Sequence, residues 1–150
     1  MIILDNSVLS AFTRLKLLSH LEELLTSAKI SKDVLNEYSE HWQKRIPKWI
    51  KTIEPNESTK VESSPLSLSP ADLSLIKLGL EYKIPIASDD EPLRRFAKKL
   101  GISVTGSLGL LKVLYQNKII KTREEYITFL TSLEKDIYIS DELREWALNE

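Results

Sequence analysis

SPADLSLIKLGLEYKIPIASDDEPLRRFAKKLGISVTGSLGLL, residues 69–111, decides the architecture of this chain. It opens on a helix start signal, with Ser69 as cap, Pro70 in the first helical position and Asp72 in the first turn, and predicts a helix over Ala71–Tyr82. IPIAS follows as a strand, then a helix from Pro92 to Leu100 stopped by Gly101, the strand ISVT, and a helix from Leu108 to Asn117. Strands alternating with helices at this spacing imply crossovers, a mainly parallel central sheet and helices on both of its faces: a three-layer α/β/α sandwich.

Upstream, Ile2, Ile3 and Leu4 closed by Asp5 read as a short buried strand. The apolar residues between Val8 and Leu25 recur at helical spacing and predict two helices broken near Ser19. A short AKI strand precedes a helix that Ser31 caps and that runs from Lys32 past His41, with Val34, Leu35, Tyr38 and Trp42 on its inner stripe. WIKTIEP reads as a strand stopped by Pro55, and the stretch from Glu54 to Ser69, rich in Ser, Pro, Asn and Glu, as a surface loop. Downstream come a helix from about Thr122 to Lys135, the short DIYIS, and a last helix from Asp141. The expectation is one domain over 1–150, with a core of about 1–120 and a helical extension of about 121–150.

Composition narrows the chemistry. At 150 residues the chain can bury a core without disulfides. With no cysteine and only two histidines, it has no thiolate zinc site and little material for a histidine-rich metal centre. Oxygen ligands are what remain. No apolar run approaches the roughly 20 residues that span a bilayer, and MIILDNSV has no basic leader, so the expected location is the cytoplasm, with no membrane partner. The net charge of −1 argues against coating duplex nucleic acid by bulk electrostatics. Local clusters, Lys44, Arg45 and Lys48 or Arg94, Arg95, Lys98 and Lys99, remain available to phosphates.

Four acids stand out. Asp5 and Asp89 fall at the carboxyl ends of strands, where open α/β sheets bind ligands. Asp5 is equally a helix cap shared with Asn6 and Ser7. A capping box explains the residue type of Asp72, yet Asp72 shares a helix face with Leu75, Ile76 and Gly79, which turns its carboxylate inward. Glu37 flanks an apolar stripe and, taken alone, is an exposed helix carboxylate. Of Asp89 and Asp90, one caps the next helix and the other is free for a metal; Asp89 lies nearer the strand end, and the reverse assignment stands beside it. Clustered carboxylates are what hard Mg²⁺ or Mn²⁺ ions prefer, and such a cluster needs a cation to neutralise its repulsion. His20 and His41 have no ligand spacing. Gly106 and Gly109 match no phosphate-loop pattern and read as tight turning and close helix packing, while Trp42, Trp49 and Trp146 read as packing or interface anchors rather than stacking platforms.

With those acids placed, the chain resembles a PIN domain, the nuclease fold of VapC-type toxins, and is most similar to a prokaryotic PIN-like branch without an assigned function. LDNSVLSAF resembles the first-strand signature, ISKDVLNEY the segment supplying the second acid, and residues 70–111 the rest, with YISDELREWAL in the tail also similar. The resemblance implies metal ligation by Asp5, Asp72 and Asp89, with Glu37 completing the catalytic pocket, Asn6 or Ser7 orienting Asp5, and one or two divalent ions cutting RNA. It also implies a homodimer, for which the leucine-rich N-terminal helices are the candidate surface, those leucines reading equally as intramolecular core, and, in a toxin, a small antitoxin partner. Arg94 or Arg95, directly after Asp89, would hold the RNA backbone. The expected function is thus a divalent-metal-dependent endoribonuclease, as a toxin or an RNA-processing factor; the alternative is a non-catalytic binding or dimerisation module whose acids merely cap helices. A phosphoacceptor receiver ranks low, because LDNS offers one acid and ISVTG no lysine.

Overall fold

The computed structural model describes residues 1–61 and 64–149. Its elements, in chain order, are β1 (Ile2–Leu4), α1 (Asn6–Arg14), α2 (Leu18–Leu25), β2 (Ala28–Ser31), α3 (Lys32–Trp42), β3 (Ile50–Ile53) and α4 (Pro70–Tyr82). There follow β4 (Ile86–Ala87), α5 (Glu91–Lys99), β5 (Val104–Thr105), α6 (Ser107–Gln116), α7 (Arg123–Leu133) and α8 (Asp141–Leu148). Five strands form one sheet in the order β3-β2-β1-β4-β5, and every pairing is parallel. The expected sandwich is therefore present, with a sheet that is wholly rather than mainly parallel.

Helix α4 lies across β1, β2 and β4 and touches α5, while α1 touches α3 and α6, so both faces of the sheet are covered. That cover explains why Ile3, Leu4, Ile30, Ile86 and Ala87 are fully buried: strands covered on both faces need apolar residues on both. The strand order reverses between β1 and β4. At such a switch point the chain leaves neighbouring strands toward opposite faces, opening a crevice at their carboxyl ends. Asp5 and the Ser88–Asp90 segment stand at those two ends.

Several boundaries move. The break in the first helical stretch falls at Leu15–Leu17, not near Ser19, with Lys16 in the left-handed region at φ 61° and α2 beginning at Leu18. Leu15, Leu17 and Leu21 are all buried, so the turn exists to bring successive leucines into the core. The leucines offered as a dimer surface are mostly core, with Leu18, Leu24 and Leu25 only partly buried against it. The stretch after β3 holds no helix or strand among its described residues, and the Glu81 carboxylate of α4 ties it down by accepting from Asn56 N and Thr59 Oγ1.

The C-terminal helices belong to the same core. Both α7 and α8 pack on α6, and Tyr126 of α7 is buried, stacked on Tyr115 at 4.4 Å, with its hydroxyl donating to Ala147 O of α8 at 2.7 Å. Arg14 of α1 clasps the end of α7, donating to Ser132 O, Ser132 Oγ and Asp136. Burial pushes the Tyr126 phenol above its ordinary value, against the opposing pull of Arg123. A raised native pKa supplies stability that is complete below the unfolded value, about 10, and is lost as pH rises through the native one. Tyr126→Phe is expected to cost about 1 kcal/mol at neutral pH and to flatten the alkaline fall in melting temperature. Thermal melts of both proteins between neutral and strongly alkaline pH check this; parallel pH profiles would contradict it.

Candidate active site at the carboxyl edge of the sheet

Asp5 sits where β1 hands over to α1, and it is the cap of that helix. Its Oδ1 accepts from Asn6 N at 2.7 Å, and its Oδ2 accepts from Ser88 Oγ at 2.6 Å and Ser7 Oγ at 3.3 Å. All three donors are neutral. Burial raises the Asp5 pKa; the bonds from Ser88, Asn6 and Ser7 oppose the rise, and the nearby Asp72 carboxylate adds to it. Asp5 is thus an enclosed carboxyl beside a second acid, a position where ionisation is unfavourable unless a cation is present.

Asp72 realises both of its sequence readings. It forms a capping box at the start of α4, its Oδ2 accepting from Ser69 N while Ser69 Oγ accepts from Asp72 N, both at 3.1 Å. Being in the first turn, it also lies close enough to Asp5 for the two charges to repel. Asp89 is held differently: its Oδ1 accepts from Ser107 N at 2.7 Å and its Oδ2 from Ser107 Oγ at 2.5 Å, which fastens the end of β4 to the start of α6. Asp90 caps α5, accepting from Leu93 N at 3.0 Å. Glu37 is exposed on α3, with no hydrogen bond or ion pair among the described residues.

Three small residues connect these acids, and the sequence reading named only one of them, Ser7, for this role. Ser88 is fully buried; its hydroxyl donates to Asp5 and accepts from Asp90 N, and its carbonyl accepts from Arg94 Nη1 at 3.0 Å. Ser7 Oγ, besides reaching Asp5, accepts from Asp89 N at 3.1 Å. Ser107, also fully buried, holds Asp89. A hydroxyl inside a stretch otherwise destined for the core was the available signal, because a buried hydroxyl needs partners. Gly106 matters by what it lacks: a Cβ there would stand 2.7 Å from Arg94 Nη1 and 2.8 Å from Asp89 Oδ1. Gly109 likewise lets Thr105 Oγ1 approach, at 2.7 Å from where its Cβ would be.

The basic residues divide by position. Arg94, in the first turn of α5, reaches the site, whereas Arg95 is exposed and pairs with Glu91 at 3.7 Å. Helix α3 leaves the carboxyl end of β2 and returns to the start of the parallel β3, so Lys44, Arg45 and Lys48 lie at the opposite edge of the sheet. Lys98 and Lys99, in the last turn of α5, are there too.

The donors fit a hard divalent cation in one respect. Asp5 and Asp72 are oxygen donors, mutually repelling, and none of the four acids makes an ion pair among the described residues. Mg²⁺ is commonly bound by one or two carboxylates, its remaining positions filled by water and substrate oxygens. No group of three acidic or histidine side chains among the described residues forms a ready-made cage. A cleft of about 950 Å³ opens from this edge, and its lining includes Ser7, Asp89, Arg94, Leu108, Tyr138 and Trp146.

A family model for the PIN domain matches residues 1–150, and the chain belongs to that family. No curated protein matches it. PIN domains are generally nucleases, so the acids stand in a nuclease-type fold. No helix among the described residues is long and apolar enough to cross a membrane.

Proposed function

We propose that this protein is a divalent-metal-dependent endoribonuclease that hydrolyses RNA phosphodiester bonds at the Asp5–Asp72 edge of the sheet. The carrying observation is that pair: an enclosed carboxyl with a raised pKa beside a second carboxylate, bonded only by neutral donors. Asp5, Asp72 and Asp89 would hold Mg²⁺ or Mn²⁺, with Glu37 completing the pocket. When bound, the ion supplies charge stabilisation for the phosphoryl oxygens and acidifies a water to serve as nucleophile. Ser88, Ser7 and Asn6 fix the orientation of Asp5, so its lone pairs are aimed before the cation arrives. Arg94, anchored on the Ser88 carbonyl, presents its guanidinium to a substrate phosphate. A toxin setting is consistent with this site, since a partner that placed a basic side chain against Asp5 and Asp72 would silence it.

The non-catalytic reading has its own observation: Asp5, Asp72 and Asp90 all cap helices. The two readings separate by ion binding. On the nuclease reading, Mn²⁺ or Mg²⁺ at ~100 times its Kd raises stability by about 2.7 kcal/mol, and Asp72→Asn loses most of that gain. Capping alone predicts an unmoved melting temperature.

A further inference from the structure

Aromatic side chains of α3 reach across to α1 at two points. The Tyr38 hydroxyl and Thr13 Oγ1 share a hydrogen bond of 3.0 Å, and Trp42 Nε1 donates to Ser10 Oγ at 3.0 Å. These bridges end in different places. Thr13 Oγ1 donates to Leu9 O at 2.8 Å, so the first stops in the backbone of its own helix. Ser10 Oγ donates to Asn6 Oδ1 at 3.1 Å, and Asn6 N donates to Asp5 Oδ1 at 2.7 Å, so the second stops beside the acid at the centre of the site. We infer that Trp42, acting through Ser10, is a positioning residue of that site: it fixes the side-chain amide of Asn6 so that Nδ2 is ready to donate to a phosphate oxygen of the substrate. This rests on the nuclease reading of Asp5 and Asp72 and extends it to α3.

The first member fixes the direction of the relay. An indole N–H can only donate, and a hydroxyl carries one proton, so Ser10 accepts from Trp42 and points its own proton at Asn6. The amide oxygen must then face Ser10, because a reversed amide would set its N–H groups where that proton already points. Hydrogen bonds in series polarise one another, which stiffens the arrangement. Trp42 is a firm starting point: its ring is partly buried against the core, with His41 edge-on at 5.2 Å and Tyr38 at 6.3 Å.

With Oδ1 engaged, the amide nitrogen is left over. Nδ2 donates to nothing among the described residues, where His20 Nδ1 is the one buried side-chain nitrogen or oxygen without a partner, so Nδ2 is open to solvent. A free pair of N–H groups on the first residue of α1 cannot ligate a cation, which takes oxygen, and suits an anion, which the helix dipole favours at that end. The division of labour is complementary. The acids take the ion, and Asn6 takes an oxygen of the phosphate that the ion meets. Tyr38 supplies the comparison, since it ties the same two helices together and its bridge stops at Leu9 O.

The test uses proton–nitrogen correlation spectra of the intact chain, with the Asn6 side-chain pair assigned by its absence from Asn6→Ala and a melting temperature taken for every variant. In the free protein, Trp42→Phe and Ser10→Ala are expected to shift the Asn6 pair, and Tyr38→Phe to leave it in place. A short mixed-sequence single-stranded oligoribonucleotide in Ca²⁺ should shift the pair in wild type and in Tyr38→Phe, but not in Trp42→Phe or Ser10→Ala. In Mg²⁺ or Mn²⁺, Asn6→Ala should lower kcat/KM about 10- to 100-fold and Trp42→Phe or Ser10→Ala about 10-fold, while Trp42→Phe adds nothing in the Asn6→Ala background. Like behaviour of Trp42→Phe and Tyr38→Phe, additive losses in the double variant, or an Asn6 pair that ignores RNA would each reduce the relay to a stitch between helices. The two readings fail separately. Cutting by wild type with an unmoved Asn6 pair keeps the nuclease and removes the relay, whereas an Asn6 pair that answers RNA only when Trp42 is present, without cutting, keeps the relay and removes the nuclease.

Discussion

Asp5→Asn is expected to lower RNA cleavage about a thousand-fold or more and, in chelator at pH 7, to raise the melting temperature. Loss of activity follows from removing a charge that would hold the ion. The gain in stability follows from the same charge. Asp5 is enclosed, its neighbours are neutral donors, and Asp72 repels it, so the fold disfavours its ionised form. A carboxyl with a raised native pKa contributes stability that is fully present below its unfolded value, about 3.9, and is lost as pH rises through the native value. The variant has no such loss. Asparagine keeps an acceptor for Asn6 N, and the Ser88 hydroxyl can turn to accept from the amide. The advantage of the variant should therefore shrink on acidification and vanish near pH 4. Melts in EDTA across that range, paired with cleavage rates, measure both halves. A variant less stable than wild type at every pH would mean that Asp5 is a cap and nothing more.

Gly106→Ala is expected to reduce kcat/KM about a hundred-fold with helix content intact, because a displacement of about 1 Å in a positioning group costs that much. Gly106 has φ −127°, a conformation open to any residue, so backbone strain is not the cause. The added methyl would meet Arg94 on one side and Asp89 on the other, and the second is tied to Ser107 by both oxygens. Gly101→Ala is the opposite case. Gly101 lies at φ +80° with open space around it, so alanine there costs about 1 kcal/mol of stability and leaves catalysis alone. Full activity in Gly106→Ala would show that neither Arg94 nor Asp89 needs its present position.

The architecture was legible where local signals are strong. Ser69, Pro70 and Asp72 announce α4 within one residue, and the switch from apolar runs to helical periodicity from Pro70 to Leu111 gives the parallel order. The break after α1 was not legible, since Leu15, Leu17 and Leu18 are all apolar and the left-handed Lys16 is chosen by tertiary packing. IPIAS shortens to a two-residue ladder strand, in part because Pro85 has no amide to give. At the site, strand ends pointed to Asp5 and Asp89, because a parallel sheet funnels its carboxyl ends into one crevice. Ser88 and Ser107 escaped notice because a serine carries no charge to draw attention, and its importance appears only when its burial is known. Helix-face reasoning read Glu37 as an exposed carboxylate, as it is, but could not separate Arg94, which reaches the site, from the outward Arg95.

The most direct test of the central claim is cleavage of a mixed-sequence single-stranded RNA by the purified chain and by Asp72→Asn, each in Mg²⁺, Mn²⁺ or EDTA. The account predicts cutting that requires the ion and disappears in the variant. Ion-independent cutting, or equal cutting by the variant, would contradict it.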